Sequence, residues 1–167
     1  MKEIKPPLAY NEFPGPKIFL AGTIDQGNSE DWQARVANDL SEHEGVLLNP
    51  RRDDWDSSWE CTLDNPEFVE QVGWEQDGLQ DSDLIVFYFA SDSKSPITLL
   101  ELGVCLGHNN NSTLVVCCPS DFYRAGNVEY MCSRFGIRMV NDYDSMLREV
   151  KYNLEIFEEY GYLPFPN

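Results

Sequence analysis

Basic residues are scarce in this chain: 12 lysines and arginines stand against 29 aspartates and glutamates in 167 residues, a formal net charge of -17. So acidic a surface repels phosphate backbones and anionic headgroups, which disfavours nucleic-acid or membrane binding through a basic face and favours a neutral or cationic small molecule. The same acidity also serves simply to keep a protein soluble. Histidine is scarcer still, with only His43 and His108, far apart, and the five cysteines (Cys61, Cys105, Cys117, Cys118, Cys132) fall in no zinc-ligand spacing. No metal is expected, and the cysteines read as small core hydrophobes in a reducing compartment. No apolar run approaches the roughly 18 residues of a membrane span, and Met1-Lys-Glu-Ile-Lys-Pro-Pro lacks the apolar centre of a secretory signal. A cytoplasmic protein is the expectation.

Several catalytic patterns are missing too. Ala21-Gly-Thr-Ile24 has neither a Walker-type lysine nor the three glycines of a dinucleotide site, so ATPase and NAD-dehydrogenase readings lose their main support and no cofactor is expected. Ser95 is not in a Gly-x-Ser-x-Gly elbow, and neither histidine has a triad setting.

What is present is an alternation of short apolar runs with amphipathic stretches. Residues 1–16, ending in Pro14-Gly-Pro16, read as an arm rather than an element, and residues 17–167 as one domain. Strands are predicted at 18–21, 46–48, 84–89, 113–118 and 137–140. Helices are predicted between them: one with Trp32, Val36 and Leu40 as its buried face, one from Asn65-Pro66 with Phe68, Val69, Val72 and Leu79 as core, and one around Glu101. Two more follow, over 128–135 and 143–160, and Asn109-Asn-Asn-Ser112 reads as a turn. The order predicts an α/β fold: a three-layer, doubly wound, five-stranded parallel sheet of flavodoxin-like type, strand order 2-1-3-4-5, with right-handed crossovers.

In such a sheet the ligand crevice lies beyond the carboxyl ends of the strands. Four segments converge there: Ala21-Gly22-Thr23-Ile24, Asn49 to Trp55, Ala90 to Pro96, and Pro119 to Asn127. The small Ala21 and Gly22 leave room for close approach, and residues 56–64 extend the second segment into a long polar loop, a lid in waiting. Glu101 is the misplaced residue of the chain. Its neighbours Ile97, Leu99, Leu100, Leu102, Val104, Cys105 and Leu106 are apolar nearly all round, which predicts a buried helix carrying a carboxylate toward a cavity or partner. A helix-capping or ion-paired glutamate is the plainer alternative.

Ala21-Gly22, Asn49-Pro-Arg-Arg-Asp-Asp-Trp55, Trp74-Glu75, Ser82-Asp83 and, above all, Ser95-Pro-Ile-Thr-Leu-Leu-Glu-Leu-Gly103 resemble the nucleoside 2-deoxyribosyltransferases, in the branch with a Ser-Pro-Ile-x-Leu-Leu-Glu-Leu-Gly signature. The resemblance runs from about Lys17 to Val140. It implies a double displacement without metal or cofactor. Glu101 matches the nucleophile that attacks the anomeric carbon of a 2'-deoxynucleoside, expels the base and holds a covalent deoxyribosyl ester until a second base takes the sugar.

The resemblance also places Glu75 at the family's base-contacting acid, as proton shuttle; its alternative is an exposed helix carboxylate. Ser95 falls where better-known members carry a sugar-binding aspartate, so either its hydroxyl binds near the 5'-hydroxyl or Asp92 replaces the lost carboxylate. Trp55 would stack the base and Asp53 or Asp54 read its polar edge, unless these residues with Arg51 and Arg52 form a surface ion-pair cluster. Asn127 matches an asparagine that completes a neighbouring subunit's site, which implies a homo-oligomer. The tail through Pro166-Asn167 does not end in the expected aromatic and receives no role. Other readings are an N-glycosidase, with water resolving the intermediate, and a non-catalytic nucleotide-binding module on the same fold.

Overall fold

A computed structural model of the chain describes residues 1–24, 29–107 and 112–163. Among them, six strands form one all-parallel sheet: β1 (Lys2–Ile4), β2 (Lys17–Gly22), β3 (Val46–Leu48), β4 (Leu84–Tyr88), β5 (Thr113–Cys117) and β6 (Met139–Val140). Four helices connect β2 to β6 in turn, α1 (Trp32–Asp39), α2 (Pro66–Asp81), α3 (Pro96–Gly107) and α4 (Ala125–Arg134), and α5 (Tyr143–Tyr160) follows β6. The strand order is β1-β3-β2-β4-β5-β6. Its last five members reproduce the expected flavodoxin-like winding, and the sixth strand is an addition at one end.

That addition corrects the reading of residues 1–16 as an arm with no element. Lys2, Glu3 and Ile4 pair in parallel with Val46, Leu47 and Leu48. A strand this short, with only Ile4 buried, carries no detectable alternation, and its pairing partner lies far along the chain. The rest of the segment packs as well: Tyr10 is buried and donates to Asp81 Oδ2 at 3.2 Å, and Trp74 Nε1 donates to the Leu8 carbonyl at 2.9 Å.

Alternation along the strands divides the core in two. Phe19, Ala21, Ile85 and Phe87 face α2, α3 and α4, whereas Ile18, Leu20, Leu84 and Val86 face α1 and α5. The helices start where capping residues allow. Asn65 accepts from the backbone N–H of Glu67 and Phe68 ahead of Pro66, Asp31 accepts from Ala34, and Asp142 accepts from Ser145. Each such cap contributes about 1 kcal/mol.

Two helix faces differ from expectation. In α2 the inward residues are Gln71, Trp74, Gly78 and Leu79, while Val69 is exposed and Phe68 and Val72 are half-buried. Close approach sets this rotation: a Cβ on Gly78 would lie 2.7 Å from the Phe19 ring, and Trp74 packs on that same ring. In α3 only Thr98, Glu101, Leu102, Cys105 and Leu106 are buried, and Ile97, Leu100 and Val104 face outward. An outer-layer helix meets the sheet along one side only, so a sequence apolar all round leaves an exposed apolar stripe.

Gly22 also serves a different purpose from the one its smallness implied. A Cβ there would lie 2.6 Å from both Trp32 Cζ2 and the Tyr88 carbonyl oxygen, so the vacant space seats the Trp32 ring, which stacks on Tyr88 at 4.9 Å. Gly22→Ala is therefore expected to destabilise the fold by about 1–3 kcal/mol through overpacking. A thermal melt checks this, and an unchanged Tm would refute it.

No helix of the described residues is long and apolar enough to cross a membrane. His108, the Asn109–Asn111 turn and the tail from residue 164 onward lie outside the described residues.

Candidate active site

The loop from β4 into α3 is built on hydroxyls. Thr23, just past β2, accepts from the Ala90 backbone N–H at 3.0 Å and lies 2.6 Å from the Ser95 hydroxyl, which is itself 3.0 Å from the Ser93 hydroxyl. All three side chains are buried, and the chain of contacts ties the end of β2 to the start of α3. Ser95 holds φ at +42°, a left-handed value that costs a non-glycine residue on the order of 1 kcal/mol, and its carbonyl accepts from Leu99 in the first turn. The serine matched to a sugar-binding position is thus engaged in shaping the entry to α3.

Two turns into that helix, Glu101 is 7 % exposed. Burial first, and the nearby Glu75 charge second, push its carboxyl up to about 8. Glu75, on the facing side of α2, is itself raised by burial to about 6, with a hydrogen bond from Gln71 pulling the other way. Burial is the larger cause for both carboxyls, and the Glu75 charge adds to it at Glu101, so Glu101 is the more basic of the two. Glu101 is buried and Glu75 half-buried, so neither is an exposed surface carboxylate.

Gln71 escaped the sequence reading. Its Nε2 donates to Glu75 Oε1 at 2.7 Å and to the Pro50 carbonyl at 2.9 Å, while its own Oε1 is buried with no donor. A buried unsatisfied acceptor costs about 1–3 kcal/mol, so the position is not optimised for packing. The available signal was a polar residue at helical spacing from Trp74 and Gly78, on the face that close packing selects.

The segment after β3 is organised by ion pairs. Arg52 is buried along its length, makes a two-pronged contact with Asp54 at 2.7 and 3.1 Å, reaches Glu70 at 3.5 Å and lies over the Trp59 ring. Asp53 pairs with Lys5 at 2.6 Å. Asn49 is occupied on both sides: its Nδ2 donates to Glu3 Oε1 at 2.7 Å and its Oδ1 accepts from the Arg51 backbone N–H at 2.9 Å. Trp55 meets Trp59 edge to face at 5.2 Å, and its indole N–H is buried without an acceptor. Among the described buried side-chain polar atoms of this segment, the Trp55 indole N–H is the one without a partner.

The remaining expected residues are dispersed. Ala21 is part of the core, and the Ile24 carbonyl accepts from the Ser29 hydroxyl at 2.9 Å. Asp92 is exposed and borders a cavity of about 440 Å³ on the α1 and α5 side of the sheet, with Trp32, Tyr88, Asp142 and Tyr143; neither Glu101 nor Glu75 lines it. Asn127 is exposed in the first turn of α4. The structure thus places Glu75 within reach of Glu101 and Thr23 against Ser95; Asp92 shares its cavity with Thr23, and Asn127 belongs to neither grouping.

With that geometry in place, comparison with known proteins gives a direct result. A family described as nucleoside 2-deoxyribosyltransferase-like matches residues 15–122, a span that includes β2 to β5, both carboxylates and Gln71. Asn127 lies beyond it. No individual curated protein matches the chain.

Proposed function

The chain belongs to the nucleoside 2-deoxyribosyltransferase-like family, and from that premise we propose that it moves 2-deoxyribose from one nucleobase to another through a covalent intermediate on Glu101. The observation that carries the reading is Glu101, a buried carboxylate in an apolar helix, within reach of the charge of the half-buried Glu75. The ionised Glu101 carboxylate forms a bond to C1' of the deoxynucleoside as the C–N bond to the base breaks. Glu75, in its protonated form, gives its proton to the departing base nitrogen, so the base leaves neutral. Return runs through the same states: an acceptor base surrenders an N–H proton to Glu75 while its nitrogen attacks C1', and Glu101 is released as carboxylate.

Glu101, raised further than Glu75, is the carboxyl that holds a proton more readily before substrate binds. Catalysis needs it on Glu75. Positive charge developing at C1' favours the anion on Glu101 and supplies that redistribution without uptake of a proton from water. Trp55, with its unused indole N–H, is the aromatic surface for the base.

In this reading the enzyme is a cytoplasmic homo-oligomer that serves nucleotide salvage. The outward residues Ile97, Leu100 and Val104 of α3 and Tyr130, Met131 and Phe135 of α4 supply an apolar surface for a second copy. Asn127 of α4, exposed beside that surface, then completes the neighbour's sugar site.

Incubation of the protein with deoxyinosine and adenine, followed by chromatography, tests the reaction. The expected products are deoxyadenosine and hypoxanthine. Hypoxanthine with free deoxyribose would replace transferase by hydrolase. No product from deoxyinosine, or from thymidine and deoxyuridine in parallel, would reduce the site to a binding module.

A further inference from the structure

We infer that Gln71 is a positioning residue for Glu75: it fixes one carboxylate oxygen, Oε1, and so leaves the other, Oε2, to exchange the proton with the base. The inference rests on the proposed reaction and adds to it a residue and an atom. Three observations support it.

First, Gln71 is 4 % exposed and lies one helical turn before Glu75, the spacing at which side chains on a helix meet. Second, both of its amide hydrogens are used, one on Glu75 Oε1 at 2.7 Å and one on the Pro50 carbonyl at 2.9 Å. The amide therefore locks the carboxylate to the backbone that follows β3, and its orientation is fixed, since both contacts are acceptors and only the NH₂ end can serve them. Third, its Oε1 is left buried and unpaired. A side chain kept for packing alone would be an aliphatic one of the same volume, so the donor end accounts for the presence of an amide.

The consequence for the reaction is a division of labour within one carboxyl group. Oε1 cannot readily take the proton while Gln71 donates to it. Transfer to the base nitrogen, as the C–N bond breaks and the Glu101 ester forms, uses the proton on Oε2; the reverse step returns a proton to the same oxygen. The charged and titratable groups around Glu75 are Glu101 on α3 and, beyond it, the Cys105 thiol, raised by burial and then by the Glu101 charge; Arg52, from the segment after β3, is held by Asp54 and Glu70. Among these described groups, Gln71 is the direct donor to Glu75.

The test uses Gln71→Met, which keeps volume and loses the donors, and Gln71→Glu, whose carboxyl donates only when protonated. Carboxyl carbons of Glu75 and Glu101 are followed by ¹³C NMR through a pH titration, with assignments from Glu75→Gln and Glu101→Gln. Base exchange is measured over the same pH range, and a thermal melt accompanies each variant. In Gln71→Met the Glu75 transition is expected to move up by about one pH unit. Turnover is expected to fall roughly 10- to 100-fold with little change in KM. Gln71→Glu is expected to regain turnover as the pH is lowered, which a purely structural loss would not produce. A Glu75 transition unmoved in Gln71→Met, or a Gln71→Glu pH profile parallel to that of the unmodified protein, overturns the assignment. If Gln71→Met fails to fold, Gln71→Glu decides alone. Absence of any base exchange in the unmodified protein would remove the proposed reaction, while the NMR titration would still decide the Gln71 contact.

Discussion

Glu101→Gln is expected to abolish base exchange and, at pH 8, to raise the thermal stability of the protein. Loss of the nucleophile should lower turnover on the order of 10⁴-fold or more, because an amide cannot form the glycosyl ester and removal of a covalent nucleophile typically costs that much. The stability effect has the opposite sign. In the folded protein the carboxyl is raised, by burial and then by Glu75, from 4.5 to about 8. Folding therefore favours the protonated form. Below its unfolded value the carboxyl is neutral in both states and weakens nothing; as pH rises through the interval from 4.5 to about 8 the unfolded chain ionises first, and stability is lost progressively.

A neutral amide at this position avoids that loss. At pH 8 the gain should be on the order of 2–4 kcal/mol, after allowance for relaxation and for coupling with Glu75. For a domain of this size that corresponds to roughly 5–10 °C in Tm. At pH 5 the two proteins should melt within a degree or two of one another, by roughly the same conversion. Melting curves at both pH values, beside an exchange assay, decide the matter. Surviving exchange would sink the nucleophile assignment, and equal Tm values at pH 8 would sink the account of the buried charge.

Glu75→Gln is the complementary case. Removing the acid should slow turnover by roughly 10²- to 10⁴-fold for bases that must be protonated to leave, and much less for a donor whose base departs as a stable anion. That dependence on the leaving base distinguishes a lost proton donor from a distorted site. The same substitution removes the like charge next to Glu101, so the Glu101 carboxyl should fall from about 8 but stay above its ordinary value, because burial is the larger cause. The pH at which Glu101 ionises, read by ¹³C NMR, should move down accordingly. A value unchanged from the parent protein would mean that the two carboxyls do not sense one another.

The strand sequence, the helix order and the position of Glu101 were legible because each depends on local pattern: apolar runs of strand length, capped amphipathic stretches, and one carboxylate in an apolar helix. The parallel winding of β2 to β6 followed from that alternation. What escaped was set by contacts between distant segments. Lys2–Ile4 becomes a strand only because Val46–Leu48 presents an open edge. The rotation of α2, which buries Gln71 and exposes Val69, is decided by the fit of Gly78 on Phe19. Gly22 looked like room for a ligand, yet the room is taken by Trp32 from the next helix. At the site, an apolar setting singled out Glu101, and the family resemblance pointed to Glu75; residue type took the reading no further. It could not separate Asn49, Asp53 and Asp54, whose polar groups are engaged by Glu3, Lys5 and Arg52, from residues free to meet a substrate.

The added strand at residues 2–4 has a bearing on how copies of this chain can meet. A parallel sheet ends in rows of unpaired N–H and C=O groups, and a long flat margin recruits strands from other molecules. Here one margin is β1, three residues long, and the other is β6, two residues long. Neither offers a template long enough to zip two sheets into one. Edge-to-edge pairing between sheets of two copies is therefore blunted at both margins.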